Sequence, residues 1–190
     1  HLSNMKISSV RPKITRMTMI TVIINLNSKK PRFSLAWLPD LRLSRYITLI
    51  QSVIAKDLIA SYLCANYQIG TGSDSISLRI DQFSEPLAKL LISSGKSCAA
   101  IISAYNPYSR RLSNEQNLTA HESLRNFLSQ HSYPAIESLN TDPAGLWPAE
   151  KSFFVPGLDL NTAQPLGQQF DQNAIVWIGS DAIPRLILLR

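Results

Sequence analysis

Two amides, a hydroxyl and two guanidinium groups share one short stretch: Asn106, Ser109, Arg110, Arg111 and Asn117. Such a set suits an anion. A helix begins just behind the loop, its first turn offering free N–H groups and a partial positive charge. The arginines add two cations. Neither a lysine-bearing phosphate loop nor a dinucleotide-binding glycine pattern is present, so no standard phosphate site applies. The same residues also suit plain turn-making. Asn106-Pro107 sets a turn, and the Asn106 amide can bond nearby backbone.

Two further clusters lie downstream. In Asp142–Ser152, Trp147 could hold a ring while Glu150 acts as acceptor or general base. Equally, Trp147 could pin the loop while Glu150 caps backbone N–H groups or pairs with an arginine. In Phe170–Ile175, Gln172 and Asn173 could reach a ligand or buttress a helix-to-strand turn. Nothing makes a nucleophilic triad, since no elbow surrounds Ser109. His1, His121 and His131 do not group with Cys64 or Cys98 at zinc-like spacing. Neither a metal nor a cofactor is expected.

Sharp periodicity locates these clusters on elements. Tyr62–Ile69 and Ser75–Ile80 read as a hairpin around Gly70–Asp74, the second run alternating Ile76, Leu78 and Ile80 with polar residues. Ser84-Glu-Pro opens a helix that Gly95 ends. Cys98–Ala104 is continuously apolar, as a central strand covered on both faces must be. Ser113 and Gln116 form a capping box, and Leu118, Leu124, Phe127 and Leu128 give the following helix its stripe. Ala135–Leu139 and Ser152–Val155 read as strands around an irregular loop. Pro165 sets the start of a third helix at Asn161 or Thr162. Ala174–Ile178 and Pro184–Leu189 close the chain as a hairpin.

That order, ββαβαββαββ, predicts an α+β domain. The expected form is a mixed, mainly antiparallel sheet with helices packed on one face, a ferredoxin-like sandwich with extra hairpin strands. Leu43–Leu63 is also helix-compatible.

The stretch around Asn106-Pro107, Ser109 and Asn117 resembles the signature of an uncharacterised bacterial family, domain of unknown function 3293. Trp147, Glu150 and Ser152, then Gln172 and Ala174, extend the resemblance over roughly residues 60–188. Ser103 stands where the family has threonine, Tyr105 where tryptophan or phenylalanine is common, and Asp171 where glycine is usual. The resemblance implies a kind of domain and no reaction, so it carries over no catalytic residue.

Charge divides the chain. Residues 1–60 hold ten Lys and Arg against two Asp, +8 of a total of +6, which leaves −2 for the rest. Basic character therefore belongs to an N-terminal segment, residues 1–55, which reads as a poorly packed extension or a start assigned too far upstream. Residues 17–26 are too short an apolar run to span a bilayer. A signal-peptide reading is weaker, because no prompt small-residue cleavage site follows, and so is a transit-peptide reading, which rests only on an acid-poor end that holds Arg and Ser. Residues 56–190 form the single α+β domain. Cys64 and Cys98 read as buried small hydrophobes in a reducing compartment, hence a cytoplasmic protein.

The functional expectation is a small binding module whose polar pocket joins the 105–117 loop to Trp147, Glu150 and Gln172, for an anionic or nucleotide-like ligand. One rival is an enzyme on a phosphorylated or nucleotide-like substrate, with Glu150 as base and Arg110 as clamp. Another is a structural interaction domain. Weak, non-specific polyanion binding is expected of the N-terminal segment.

Overall fold

The computed structural model describes residues 53–190. The part of the 1–55 extension before residue 53, and the expected helix from Leu43 to residue 52, lie outside them. Four helices and seven strands follow: α1 (Lys56–Cys64), β1 (Asn66–Ile69), β2 (Ile76–Leu78), α2 (Glu85–Ser93), β3 (Ala99–Ser103), α3 (Asn114–Gln130), β4 (Ile136–Thr141), β5 (Glu150–Pro156), α4 (Leu160–Gln169), β6 (Ala174–Ile178) and β7 (Pro184–Leu188).

The strands form one sheet in the order β2-β1-β4-β5-β3-β6-β7, and all six pairings are antiparallel. Within it, β3-α3-β4-β5-α4-β6 is the βαββαβ unit of a ferredoxin-like sandwich. The β1–β2 hairpin extends one edge and β7 the other. The α+β fold is therefore as the pattern predicts.

The helices, however, divide between the two faces rather than sharing one. Alternation along β3 explains it. Ala100 and Ile102 point to a core with Phe153, Val155, Leu124 and Leu128 of α3, and Ala163 and Leu166 of α4. Ala99 and Ile101 point to a second core with Phe154, Val176, Leu87 and Leu91 of α2, against which Ile59, Tyr62 and Leu63 of α1 pack. All five β3 side chains are buried, so both faces need a cover. The crossover helices α3 and α4 supply one, and the outlying α1 and α2 supply the other.

Helix ends follow local chemistry. Ser84 accepts from the Leu87 N–H at the start of α2. Ser113 and Gln116 complete the capping box of α3. Asp159 accepts from the Thr162 N–H, which starts α4 at Leu160 and leaves Pro165 inside it. That start precedes the expected one because the aspartate cap satisfies the first turn before the proline is reached.

Two readings need correction. Tyr62–Cys64 belong to α1, and β1 begins only at Asn66. Consequently Cys64 is exposed at a helix end, and Cys98 is half-buried ahead of β3; both are free thiols. Neither is a core residue of a strand. No helix among the described residues is long and apolar enough to cross a membrane.

Candidate functional site

Strand register brings the three clusters together. β5 lies against β3 with Ser103 opposite Ser152, so the chain beyond Ser103 runs toward Glu150. β6 lies on the other side of β3, with Ile101 opposite Val176, so that same end runs toward Gln172 and Asn173. The loop after β3, the start of β5 and the approach to β6 therefore meet at one end of the central strands.

Asn106 is the hub. It is 4% exposed and left-handed, with φ 47°, a conformation that asparagine tolerates better than most residues. Its Oδ1 accepts from the Leu112 N–H at 2.9 Å and from Asn117 Nδ2 at 3.0 Å. Its own N–H donates to Asn117 Oδ1 at 2.8 Å. Its Nδ2 donates to Glu150 Oε1 at 2.6 Å, the same oxygen that accepts from Trp147 Nε1 at 2.8 Å. Burial pushes the Glu150 carboxyl above its usual range, and these two donors offset only part of that.

The loop carrying Trp147 is pinned by a residue outside the candidate set. Asp142 accepts from the N–H groups of Ala144, Leu146 and Trp147, which hold its carboxyl below the usual range. Arg111 stacks on the Trp147 ring at 4.8 Å and donates to the Leu146 carbonyl at 2.7 Å. Glu150 thus pairs with an amide and an indole, not with an arginine.

Ser109 and Tyr108 are also left-handed, at φ 56° and 51°. Ser109 Oγ lies 2.6 Å from the Tyr62 hydroxyl, and Asn173 Nδ2 donates to both at 3.1 Å. Tyr108 donates from its hydroxyl to Asp171 Oδ1 at 2.6 Å and from its N–H to the Asp171 carbonyl at 2.8 Å. Gln172 Nε2 donates to the carbonyls of Tyr105 and Phe170.

These residues border a cavity of about 420 Å³ under α1. Asn106, Ser109, Trp147, Glu150 and Gln172 line it. Arg110, Arg111 and Asn117 do not. Asn117 instead faces Asn106 from inside α3, and Arg110 is exposed. Apolar walls come from Ile101, Val176 and Leu186, and Tyr62 and Tyr67 add aromatic surface. The cavity lies in the range of small-molecule sites and mixes apolar walls with convergent polar groups.

Sequence reasoning missed Tyr62, whose place on α1 and reach to Ser109 depend on tertiary packing. It also passed over His121, 1% exposed, stacked on Phe153 at 4.2 Å and 3.3 Å from Glu137 Oε2. Burial lowers its pKa. A signal existed: Asn117, His121, Leu124 and Leu128 share a helical stripe, so the first two had to be buried polar groups.

No curated protein and no solved structure matches the chain. Residues 102–175, which hold the Asn106 loop, Glu150 and Gln172, match the family described as "Protein of unknown function (DUF3293)". The likeness to that family thus lies in the segment that builds this end of the sheet.

Proposed function

We propose that the domain is a small-molecule binding module and that the cavity under α1 is its site. One observation carries the reading. The Asn106 loop and Trp147 both donate there to one half-buried carboxylate, Glu150, beside an apolar wall, with Gln172 lining the same cavity. A half-buried carboxylate raised by desolvation in a concave site is costly to keep, which supports a functional use for it. The anionic half of the earlier expectation loses its support, because no Lys or Arg among the described residues lines the cavity. A cytoplasmic home is supported by the two free thiols. Polyanion binding stays a proposal about the basic residues before 56.

A thermal-shift panel of nucleosides, amines, sugars and carboxylates on the full chain tests the reading. A ligand present at a hundredfold excess over its Kd adds about 2.7 kcal/mol. Binding that fails to perturb Ile101, Val176 or Leu186 methyl signals would count against this cavity. An enzyme reading has Glu150 in its favour as a proton-exchanging group. It requires turnover of a bound compound that Glu150→Gln abolishes.

A further inference from the structure

We infer that the pocket takes a small organic cation: an ammonium, amidinium or guanidinium on a compact apolar body, its charged nitrogen seated on Glu150. This rests on the reading of the cavity as a small-molecule site and adds the class of ligand.

The argument is an inventory of hydrogen-bonding groups. The donors nearest Glu150 and Gln172 are spent inside the protein. Asn106 gives its side-chain N–H₂ to Glu150, Trp147 its indole N–H to the same oxygen, and Gln172 its amide N–H₂ to two carbonyls. Tyr67 donates its hydroxyl to the Tyr62 carbonyl, and Ser103 to that of Lys151. Acceptors are left over. Glu150 Oε2 and Gln172 Oε1 accept no hydrogen bond from the described residues, while their sister atoms are engaged. A ligand group seated on Glu150 and Gln172 must therefore donate.

Charge points the same way. The lining holds two carboxylates, Glu150 and Asp142, and no Lys, Arg or His. The Asp142 charge is answered by three backbone N–H groups, whereas Glu150 has two neutral donors on one oxygen. An ionised Glu150 therefore lacks a countercharge in a partly desolvated site, and a ligand nitrogen would supply it. An anion would meet uncompensated repulsion there. The remaining wall of Ile101, Val176 and Leu186 suits an apolar body, and the volume limits that body to a compact one.

The test uses three probes of nearly one shape and different charge: benzamidine, benzamide and benzoate. They are titrated into the full chain at about 150 mM salt, where surface charge is screened beyond about 8 Å. Methyl signals of Ile101, Val176 and Leu186 report occupancy. The expected result is that benzamidine moves these signals, benzoate does not, and benzamide binds at least about tenfold more weakly than benzamidine. Glu150→Gln should weaken benzamidine by a similar factor. Should that variant fail to fold, the three-probe ranking on the native chain still decides. Benzamide or benzoate binding as well as benzamidine, or unchanged benzamidine binding by folded Glu150→Gln, overturns the cation inference and leaves the pocket reading standing. If none of the three moves the cavity methyls, while the wider compound panel does, the inference alone falls. If no compound of either set binds there, both readings fall.

Discussion

Replacing Asn106 by alanine should be among the costliest single changes at this end of the sheet. Four effects act together. Alanine at φ 47° pays a left-handed penalty of about 1 kcal/mol that asparagine largely escapes. Asn117 Nδ2, which points at Asn106 Oδ1 from a buried position, loses its acceptor, at about 1–3 kcal/mol for a stranded donor. The Leu112 N–H loses the same acceptor, but it lies near the surface and water can replace it. Glu150 loses one of two donors, a loss the open cavity softens by letting water in. The sum is about 2–4 kcal/mol. Companion variants separate the terms. Asn106→Gly removes the conformational penalty alone and should recover about 1 kcal/mol. Asn106→Asp keeps the acceptor but sets a second carboxylate against Glu150, so its cost should grow as pH rises and both groups ionise.

Urea unfolding followed by tryptophan fluorescence measures all three, with the slope checked for two-state behaviour. A loss under about 0.5 kcal/mol for Asn106→Ala, or no difference between the alanine and glycine variants, would refute the hub role. It would mean that the amide bonds are no better than the water they replace.

Glu150→Gln should flatten a pH dependence. Because the folded carboxyl lies above its ordinary range, its contribution is present below the unfolded value and lost as pH rises through the folded one. Urea midpoints of the native chain should carry that fall above about pH 4.5, and the glutamine variant should lack it. Gly167→Ala places a Cβ 2.6 Å from Ile175 Cγ2 and 2.7 Å from Leu189 Cδ1; overpacking of about 1–3 kcal/mol outweighs the helix-propensity gain of about 1 kcal/mol, so the melting temperature should drop. Arg110→Ala should cost under about 0.5 kcal/mol in urea unfolding, whereas Arg111→Ala, losing the Trp147 stack and the Leu146 bond, should cost more. Glutamine at every Lys and Arg before residue 53 should abolish heparin retention at low salt; unchanged retention would place the polyanion surface on the near-neutral domain.

Much of the fold was legible because its signals are local. The buried run at Ala99–Ser103, the capping box at Ser113, and the alternation around Ile76 each follow from period or cap chemistry. What stayed hidden needed tertiary contact. The division of helices between faces was implied by a strand buried on both sides, yet α1 has a weak stripe with no buried residue of its own, so its placement could not be read. Of the site, Asn106, Ser109, Trp147, Glu150 and Gln172 were identifiable as polar residues in loops flanking apolar strands, and they border one cavity. Arg110 and Arg111 were drawn in by charge alone. A guanidinium on an exposed loop is equally able to face water or to stack on an indole, and sequence spacing does not choose between them.

The left-handed residues link these observations. Asn106, Tyr108, Ser109 and Asp171 all have positive φ, and the last stands where the resembled family usually has glycine, the residue that adopts this conformation without steric cost. Aspartate retains it through two contacts with Tyr108, carbonyl to N–H and carboxylate to hydroxyl. Tyr108 is in turn covered by Arg190 at 4.4 Å. Strain of about 1–3 kcal/mol per residue persists only where surrounding bonds over-determine it, and here those bonds consume the donors of Tyr108, Asn106, Gln172 and Asn173. The loop is thus held stiff at the expense of its hydrogen-bond donors. The acceptors left at Glu150 and Gln172 are part of that arrangement, so the strained backbone and these free acceptors are two results of it. Asp171→Gly tests that link. It relieves the strain but frees the Tyr108 hydroxyl, so stability should change by less than about 1 kcal/mol while Tyr108 and Ser109 amides exchange faster with solvent. Unchanged exchange would show that the Asp171 carboxylate does not hold the loop, and the proposed coupling between strain and lining would fail.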